Sequence, residues 1–283
     1  MGRLRRLDAE LVRRSLADSR EAAKKLITSG AVLLDGAVVT KPARQVDPAQ
    51  AIVISAQESE NYASRGAYKL AGVLDLLGEK APVIEGRRII DAGASTGGFT
   101  DVLLRRGAGH VIAVDVGYGQ LVWRLREDPR VTVLERTNVR TLDPAAVAPA
   151  PDMAVGDLSF ISLTLVLPAL VAACSPQADF LLMVKPQFEI GKERLGAGGV
   201  VRNLDHHEET ITKVASCALD LGLDTLAVVA SPLPGPSGNV EYFLHMRRDG
   251  KAAIRDLPAA IHRAVMEGPA PGLLGIVVSE EEP

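Results

Sequence analysis

Four ionisable residues, far apart in the chain, have the types that a proton-transfer site needs. They are Lys69, Asp157, Lys185 and Glu241. Two ammonium groups and two carboxylates can together bind a weakly acidic hydroxyl and take its proton. Burial and a second cation favour a neutral lysine, whereas carboxylates favour the charged form. We therefore predict that Lys185 acts as a general base, or as the group that orients the hydroxyl.

The positions of these residues on predicted strands explain how they could meet. Asp157 ends the fourth strand, Lys185 ends the fifth, and Glu241 begins the last. Ligands of an open parallel sheet bind outside the carboxyl ends of its strands, and an antiparallel last strand begins at that same edge. Lys69, on the helix before the sheet, can reach over it. The alternative is four unrelated strand-end ion pairs, which is the better interpretation of any one residue but not of all four.

A glycine-rich turn follows the first strand of this region. The segment from Asp91 to Phe99, DAGASTGGF, lies between a hydrophobic run and a helix-like stretch, so the order is strand, turn, helix. This arrangement brings backbone N–H groups up to a nucleotide-like ligand. Ser95 stands where the dinucleotide pattern G-x-G-x-x-G has its second glycine. A small polar residue there fits a ligand without pyrophosphate, which favours S-adenosylmethionine (SAM) over NAD.

Further polar residues complete the predicted cofactor site. Asp115 ends the second strand and can accept hydrogen bonds from both ribose hydroxyls, although it could instead cap the next turn. Asn138 follows the third strand and is a candidate for the adenine amino group or a turn residue. The full predicted cofactor set is Asp91, Gly93, Ala94, Ser95, Gly97, Gly98, Phe99, Asp115, Asn138 and Asp157. With SAM as methyl donor, the four ionisable groups are suited to alkylation of a ribose 2′-hydroxyl without a metal.

Alternating strands and helices after residue 88 predict a Rossmann-like α/β domain. We place the strands at 88–91, 111–115, 131–134, 152–157, 180–184, 225–231 and 240–246, with helices between the first five and another at 206–221. A helix over 64–77 carries Lys69. The last two strands are joined by a Pro/Gly segment without room for a helix, so they form an antiparallel pair. Seven strands ending in this way are typical of SAM methyltransferases.

The first part of the chain predicts a small α+β domain. A helix over 8–16, a second helix over 20–29 with Ser19 as its N-cap, and a hairpin turning at Asp35-Gly36 precede a strand over 51–55. We divide the chain into a domain at 1–58, a linker at 59–63, a methyltransferase domain at 64–248, and a partly disordered extension at 249–283.

Positive charge is concentrated at the front of the chain. Residues 1–46 hold ten Lys/Arg and five acids, a net charge of +5, whereas the whole chain carries −3. A basic front on an acidic body indicates a polyanion partner, although a solvated amphipathic face is the alternative. A basic loop over 191–202 is a candidate lid or RNA clamp, or a plain connection. The predicted RNA-binding residues are Arg3, Arg5, Arg6, Arg13, Arg14, Arg20, Lys24, Lys25, Lys41, Arg65, Lys192 and Arg194.

Composition excludes several other classes. Cys174 and Cys217 lie in apolar contexts, which predicts reduced thiols and a cytoplasmic protein. The charged N-terminus predicts no signal peptide, and the longest apolar run is too short for a bilayer, so we expect no membrane partner.

The segment HHEE at 206–209 lacks H-E-x-x-H spacing, and we predict no metal site. The oligomeric state is left open, with a monomer expected.

Five segments, taken in order, resemble the TlyA (hemolysin A) family of ribosomal RNA 2′-O-methyltransferases. They are SRGAYKL from Ser64, DAGASTGGFT from Asp91, GDLSFIS from Gly156, VKPQFE from Val184 and GGVVR from Gly198. The resemblance implies a ribosomal-protein-S-four-type RNA-binding domain followed by an FtsJ-like methyltransferase domain. It also implies that Lys69, Asp157, Lys185 and Glu241 form a catalytic tetrad.

Members of that family methylate cytidine 2′-hydroxyls of 16S rRNA and, in some cases, of 23S rRNA. The resemblance thus predicts SAM as cofactor and rRNA within ribosomal subunits as partner. Two alternatives stay open at this point: a ribosome-associated RNA-binding factor without activity, and a membrane-active hemolysin. The absence of a spanning segment in the sequence makes the second alternative the weaker one.

Overall fold

The computed structural model describes residues 4–14, 16–17, 19–28, 32–35, 37–47, 50, 52–54, 62–248 and 253–268. The chain divides into two compact units, Met1–Asn61 and Tyr62–Pro283. Each unit has a hydrophobic core of its own. Residues 59–61 of the predicted linker lie outside the described residues, and so does the acidic end of the chain.

The first unit is a small α+β fold. Its elements are β1 (Arg5–Arg6), α1 (Leu7–Arg13), α2 (Arg20–Thr28), β2 (Val32–Leu34), β3 (Ala37–Val38), β4 (Gln45–Val46) and β5 (Ile52–Ile54). Strand β2 pairs antiparallel with both β3 and β5, which confirms the predicted hairpin and third strand. Ser19 Oγ accepts a hydrogen bond from the Ala22 N–H at 3.1 Å, as expected of an N-cap.

Two details of this unit differ from the sequence-based expectation. Helix α1 ends at Arg13 instead of Leu16, because the Leu16 N–H bonds to the Leu11 carbonyl outside the helical pattern. Strands β1 and β4 pair antiparallel and were not predicted. Each has only two residues, so neither has the alternation of polar and apolar residues that identifies a strand.

The second unit is a doubly wound α/β fold. Its elements are α3 (Gly66–Leu77), β6 (Arg88–Ala92), α4 (Gly98–Arg105), β7 (His110–Val114), α5 (Trp123–Arg126), β8 (Val131–Leu134), β9 (Met153–Gly156), α6 (Leu167–Ala173), β10 (Asp179–Val184), α7 (Pro186–Glu189), α8 (Leu204–Asp220), β11 (Asp224–Ala230), β12 (Tyr242–Arg247) and α9 (Leu257–Glu267). The seven-stranded sheet has the order β11-β12-β10-β9-β6-β7-β8. Strand β12 runs antiparallel to both neighbours, and the other pairs are parallel. The predicted fold class is therefore confirmed.

Both faces of the sheet are covered, which explains why its central strands are hydrophobic throughout. All six residues of β10 are buried. Phe180 and Leu182 face the core formed with α6 and α8, whereas Leu181 and Met183 face the core formed with α3 and α4. The carboxyl ends of β6, β9 and β10 therefore open onto one edge of a rigid sheet.

The connections between strands depart from the predicted helices in two places. Between β8 and β9 the chain forms short 3-10 turns at Val139–Thr141 and Pro144–Val147 instead of a helix. Prolines at 144, 149 and 151 leave too short a stretch for one. Between β7 and β8 the helix α5 has only four residues.

Helix α9 lies in the region that the sequence divided off as an extension. Asp256 caps it by accepting a hydrogen bond from the Ala259 N–H at 3.0 Å. Ile261, Ala264 and Val265 are buried in the core of the second unit, so α9 is part of that unit. Within the described residues, no helix combines the length and apolarity that a membrane crossing requires.

Candidate active site

The four ionisable residues singled out from the sequence converge at the carboxyl edge of the sheet. Lys69 Nζ lies 2.5 Å from Glu241 Oε2 and 3.9 Å from Asp157 Oδ2. Lys185 Nζ lies 2.5 Å from Asp157 Oδ1. Cations and anions thus alternate along one line, Lys185–Asp157–Lys69–Glu241. Each lysine faces at least one carboxylate, so the charges of this buried cluster are balanced.

Glu241 is held in place from several sides. Its side chain is buried, and its Oε1 accepts a hydrogen bond from Gln187 Nε2 at 3.1 Å. A Cβ added to Gly235 would come within 2.7 Å of the same Oε1, so the Pro/Gly turn before β12 closes over the carboxylate. The turn that the sequence marked as a simple strand connection therefore also shapes the site.

Lys185 directly follows β10 and is positioned by the loop after β9. Its Nζ donates a hydrogen bond to Ser159 Oγ at 3.0 Å, in addition to its contact with Asp157. The lysine is largely buried, whereas Ser159 is exposed. Ser159 and Lys185 both line two separate cavities. The Lys185 ammonium therefore lies at the junction of two spaces that ligands could fill.

The first cavity, which we call the turn cavity, lies against the glycine-rich turn. It has a volume of about 320 Å³ and reaches Lys69, Asp157 and Lys185. The members of the predicted cofactor set that line it are Gly93, Ala94, Ser95, Gly98, Phe99 and Asp157. Gly93 has φ of +85°, and a Cβ there would lie 3.1 Å from Leu158 and 3.2 Å from the Asp157 carbonyl oxygen. Only glycine allows the turn to pack this closely.

Asp115 lies on the far side of the same turn. Its Oδ2 accepts a hydrogen bond from the Ser95 N–H at 2.8 Å, and its Oδ1 accepts one from the Gly117 N–H at 2.7 Å. A small recess beside it is lined by Ala94, Ser95, Asp115 and Gln120, among others. The turn cavity and this recess therefore lie on either side of Ser95. An extended nucleoside ligand could place one end in each of them.

Three members of the predicted cofactor set do not line the turn cavity or the recess. Asn138 is exposed, and its Oδ1 caps the turn Val139–Thr141 by accepting from the Arg140 N–H at 3.0 Å. Gly97 has φ of +98° and begins α4 from behind the turn, against Leu121 and Leu125. The geometry therefore gives Asn138 and Gly97 structural roles. The third residue of this group is Asp91, which contacts helix α4.

Asp91 anchors the helix that follows the turn. Its Oδ2 accepts hydrogen bonds from the Thr100 N–H at 2.9 Å and from Thr100 Oγ1 at 2.7 Å. The side chain is completely buried, and this burial raises the pKa of the Asp91 carboxyl to about 7. Hydrogen bonds from Thr100 oppose the shift without cancelling it.

We expect Asp91 to make the stability of the second unit depend on pH. Between about pH 4 and pH 7 the folded protein keeps a proton that the unfolded chain loses, so the free energy of unfolding falls as pH rises, by up to about 1.4 kcal/mol per pH unit. Asp91→Asn should remove this component. Urea unfolding at several pH values, followed by fluorescence of the single tryptophan, Trp123, measures how the free energy of unfolding changes with pH in the wild type and in Asp91→Asn. Equal slopes for wild type and variant would contradict the assignment.

The second cavity, which we call the wide groove, lies on the other side of Lys185. It has a volume of about 1310 Å³, and its lining includes Phe160, Lys185, Gln187, Phe188, Lys192 and Glu241. Phe160 is 90% exposed with φ of +62°, and its ring centroid lies 5.0 Å from that of Phe188. An aromatic pair next to basic side chains is a surface on which unpaired bases can stack.

The arginines predicted to bind RNA surround two buried acids in the first unit. Asp8 pairs with Arg6 at 2.8 Å and Arg20 at 3.4 Å. Glu10 pairs with Arg13 at 2.6 Å, Arg14 at 2.9 Å and Arg5 at 4.0 Å. Hydrogen bonds from Arg13 hold the pKa of the Glu10 carboxyl at about 2. These arginines therefore also stabilise their own unit.

The other predicted RNA-binding residues lie in different surroundings. Lys24, Lys25 and Lys41 are exposed, and Arg3 lies outside the described residues. Arg65 is exposed and lines the turn cavity, and Lys192 lines the wide groove. The Arg194 guanidinium binds Glu209 through two hydrogen bonds of 2.7 and 2.8 Å, so part of its donor capacity is already used.

The HHEE segment has a structural role in this fold. His207 is buried at the start of α8, where its ring contacts Tyr242 Oη at 2.9 Å and the Val201 carbonyl at 2.8 Å. Burial lowers the pKa of this imidazole. A search over the described part of the chain finds no group of three His, Cys, Asp or Glu side chains arranged to hold a metal ion.

Sequence reasoning missed several residues of the site. Ser64 lines the turn cavity, Ser159 lines both cavities, and Gln187 contacts Glu241. All three fall inside segments that carried the family resemblance, so their presence in those segments was the available signal. Their contacts depend on loop conformations that spacing alone does not determine.

A seven-stranded sheet with an antiparallel strand beside its edge, and a glycine-rich turn at the carboxyl end of the inner strand β6, define the Rossmann-like methyltransferase class. Comparison with known proteins agrees with this class. Residues 62–248 match the FtsJ-like methyltransferase family, and residues 5–52 match the S4 domain. The chain belongs to the FtsJ-like methyltransferases and, within them, to the TlyA family, and it is an enzyme of that class.

Individual relatives support this membership over nearly the whole chain. The chain is 53% identical over 271 residues to the 16S/23S rRNA (cytidine-2′-O)-methyltransferase TlyA of Mycobacterium tuberculosis, covering 95% of this chain and 100% of the relative. It is 33% identical to Hemolysin A of Brachyspira hyodysenteriae, over 85% and 98% of the two chains. A solved hemolysin-type structure from Streptococcus thermophilus superposes with a TM-score of 0.69 at 36% identity, covering 93% and 95%.

Proposed function

We propose that the protein transfers a methyl group from SAM to the ribose 2′-hydroxyl of cytidines in rRNA, either in 16S rRNA alone or in both 16S and 23S rRNA. One observation carries the proposal: Lys185 Nζ, paired with Asp157, lies where the turn cavity and the wide groove meet. A methyl donor in the first cavity and a ribose in the second would then approach each other beside a basic nitrogen. The relative in Mycobacterium tuberculosis bears the name of that activity.

The turn cavity fits SAM on physical grounds. Its volume of about 320 Å³ lies at the lower end of small-molecule pockets. The glycine-rich turn, closely packed at Gly93, presents one open face to this cavity. Gly93, Ala94, Ser95, Gly98 and Phe99 would hold the cofactor, and Asp115 would bind its ribose. When bound, SAM supplies an electrophilic methyl group on a positively charged sulfur.

The protein side of the reaction follows from the four charged groups. When that lysine is neutral, the 2′-hydroxyl would donate its hydrogen bond to Lys185 Nζ. The proton would move onto Nζ as the oxygen–carbon bond forms and the sulfur–carbon bond of the methyl donor breaks. Asp157 Oδ1, at 2.5 Å, stabilises the resulting ammonium. Lys69 and Glu241 keep Asp157 oriented by their own pairing. Holding the reacting atoms in line supplies much of the rate.

The first unit is proposed to bind rRNA, because S4-type domains with clustered cations are suited to phosphates. A substrate in ribosomal subunits also implies a cytoplasmic protein. Lys24, Lys25 and Lys41 are the informative residues for a test, since they are exposed and do not pair with the buried Asp8 or Glu10. Replacing the arginines of the cluster would unpair those acids and unfold the unit as well.

We expect the triple variant of Lys24, Lys25 and Lys41 to glutamine to weaken rRNA binding and to flatten its salt dependence. Loss of three phosphate contacts should reduce the slope of log K against log salt by about 2 to 3. Filter binding to ribosomal subunits over a salt series measures this slope. A control with the same charge change, Lys80, Arg255 and Arg263 to glutamine, should bind as wild type. Equal losses in both triple variants would contradict a binding surface on the first unit.

The proposed function is tested by incubating the protein with tritium-labelled SAM and purified 30S or 50S subunits, then mapping modified cytidines. Incorporation into 16S rRNA, with or without 23S rRNA, supports the proposal and decides how many targets there are. Tight binding of subunits without incorporation would instead indicate an RNA-binding factor that has kept the fold without the activity.

A further inference from the structure

Two sequence segments that carry the family resemblance end in residues that bind each other. Ser162 ends the segment that begins at Gly156, and Glu189 ends the segment that begins at Val184. Ser162 Oγ donates a hydrogen bond to Glu189 Oε2 at 2.5 Å, and the Leu163 N–H donates one to Glu189 Oε1 at 2.6 Å. We call this arrangement the carboxylate clip. It joins the loop after β9 to the short helix α7 after β10.

The carboxylate of the clip is buried and lies outside both cavities, whereas Ser162 is half-buried and lines the wide groove. Glu189 is 5% exposed, and it is absent from the walls of the turn cavity and of the wide groove. Burial raises the pKa of the Glu189 carboxyl, although hydrogen bonds from Ser162 and Leu163 oppose the shift. Lys213 Nζ donates to the Glu189 carbonyl at 2.9 Å and lies 3.5 Å from Oε2. A ligand in either cavity therefore does not touch the carboxylate.

The two joined segments carry the groups proposed to act on the 2′-hydroxyl. The loop after β9 carries Asp157, Ser159 and Phe160, and the segment after β10 carries Lys185 and Phe188. Lys185 Nζ bridges the same two segments through Asp157 and Ser159. Phe160 is 90% exposed, so the loop has little packing of its own on its outer side. The clip is a buried polar attachment of this loop, beside the packing of Leu158 and Ile161 on the core, and it helps to keep Ser159 within reach of Lys185.

We propose that Glu189 is a positioning residue for methyl transfer, which rests on the function proposed above. By fixing the loop after β9 against α7, it sets the place of the Lys185 ammonium between Asp157 and Ser159. Glu189 does not bind SAM and does not move a proton. A displacement of a reacting group by about 1 Å can reduce a rate about 100-fold, so a remote attachment can control the rate.

The test compares Glu189→Ala with Glu189→Gln. The glutamine can keep both links: its carbonyl accepts from Leu163 N–H, and its amide donates to Ser162 Oγ, whose hydroxyl turns to Thr164 Oγ1 at 2.7 Å. We expect Glu189→Ala to lower kcat about 10- to 100-fold and Glu189→Gln to keep kcat within about 3-fold of wild type. The Kd for SAM, read from Trp123 fluorescence, should stay unchanged in both.

A general loss of stability is separated from positioning by a control. Ile261→Ala removes a buried side chain of α9, away from the site, and lowers the melting temperature without changing kcat below that temperature. If Glu189→Ala does not fold, Ser162→Ala removes the hydrogen bond to Glu189 together with those to Thr164, and it should lower kcat about 2- to 10-fold. Because Ser162 lines the wide groove, the Kd for ribosomal subunits is measured as well and should stay unchanged. An active wild type with equally active Glu189→Ala or Ser162→Ala overturns the positioning role alone. An inactive wild type overturns the proposed function.

Discussion

Lys185→Met is expected to lower kcat for methyl transfer by roughly 10²- to 10⁴-fold, the usual contribution of a general base. Methionine fills a similar volume but cannot accept the 2′-hydroxyl proton. Lys185 lies at the meeting point of the two cavities, and methionine keeps a similar volume there. SAM and RNA should therefore still bind with near-wild-type affinity. Single-turnover incorporation of labelled methyl into ribosomal subunits measures the chemical step, and Trp123 fluorescence measures the binding of SAM.

Lys185→Arg distinguishes a base from a fixed positive charge. Arginine keeps the charge beside Asp157 but does not lose a proton at neutral pH. If Lys185 acts as a base, methyl transfer by Lys185→Arg should be nearly as slow as by Lys185→Met. If Lys185 acts only as an orienting cation, methyl transfer by Lys185→Arg should be much faster. Lys80→Met, at an exposed position of the same unit, is the control for loss of one lysine. Wild-type rates for Lys185→Met would remove Lys185 from the mechanism.

The buried pair of Lys69 and Glu241 is expected to give the largest change in stability. Glu241→Ala leaves the Lys69 ammonium buried with only Asp157, at 3.9 Å, as a nearby anion. Removing one partner of a buried pair typically lowers the free energy of unfolding by about 3–5 kcal/mol. Urea unfolding followed by Trp123 fluorescence reports on the second unit, because this tryptophan lies in α5.

The double variant Lys69→Met and Glu241→Leu separates stability from activity. With both charges replaced by apolar groups, we expect the free energy of unfolding to return to within about 2 kcal/mol of wild type. Methyl transfer should nevertheless stay far below the wild-type rate, because Asp157 loses the Lys69 cation that orients it. Additive stability losses in the two single variants and the double variant would show that the pair is not coupled. An active double variant would exclude both residues from the site.

Much of the fold follows from local patterns in the sequence. Hydrophobic runs ending in Asp91, Asp157 and Lys185 predict parallel strands whose ends share one edge, and the Pro/Gly segment before Glu241 predicts the antiparallel last strand. The convergence of Asp157, Lys185 and Glu241 then follows from topology, since strand order fixes which ends are neighbours. Lys69 reaches the same edge from helix α3. The glycine-rich turn is also predictable from local sequence, because Gly93 and Gly97 adopt the positive φ angles that favour glycine.

The remaining features depend on contacts between distant segments. The burial of Asp8 and Glu10 beneath five arginines could not be inferred from a charge count, which treats every cation as free for RNA. Arg65, predicted to bind RNA, also lines the turn cavity, a position that a charge count does not indicate. The carboxylate clip joins residues 27 positions apart through loop geometry that no periodicity encodes.

The position of the transferred methyl group tests the central claim most directly. Ribosomal subunits treated with enzyme and SAM can be digested to nucleosides and separated by liquid chromatography with mass spectrometry. The proposed function predicts 2′-O-methylcytidine for the wild type. The place of Lys185 between the two cavities predicts at most about 1% of that yield for Lys185→Met over the same short reaction time. A methyl group on a cytosine ring, or the same yield of 2′-O-methylcytidine from the variant, would contradict a ribose hydroxyl activated at Lys185.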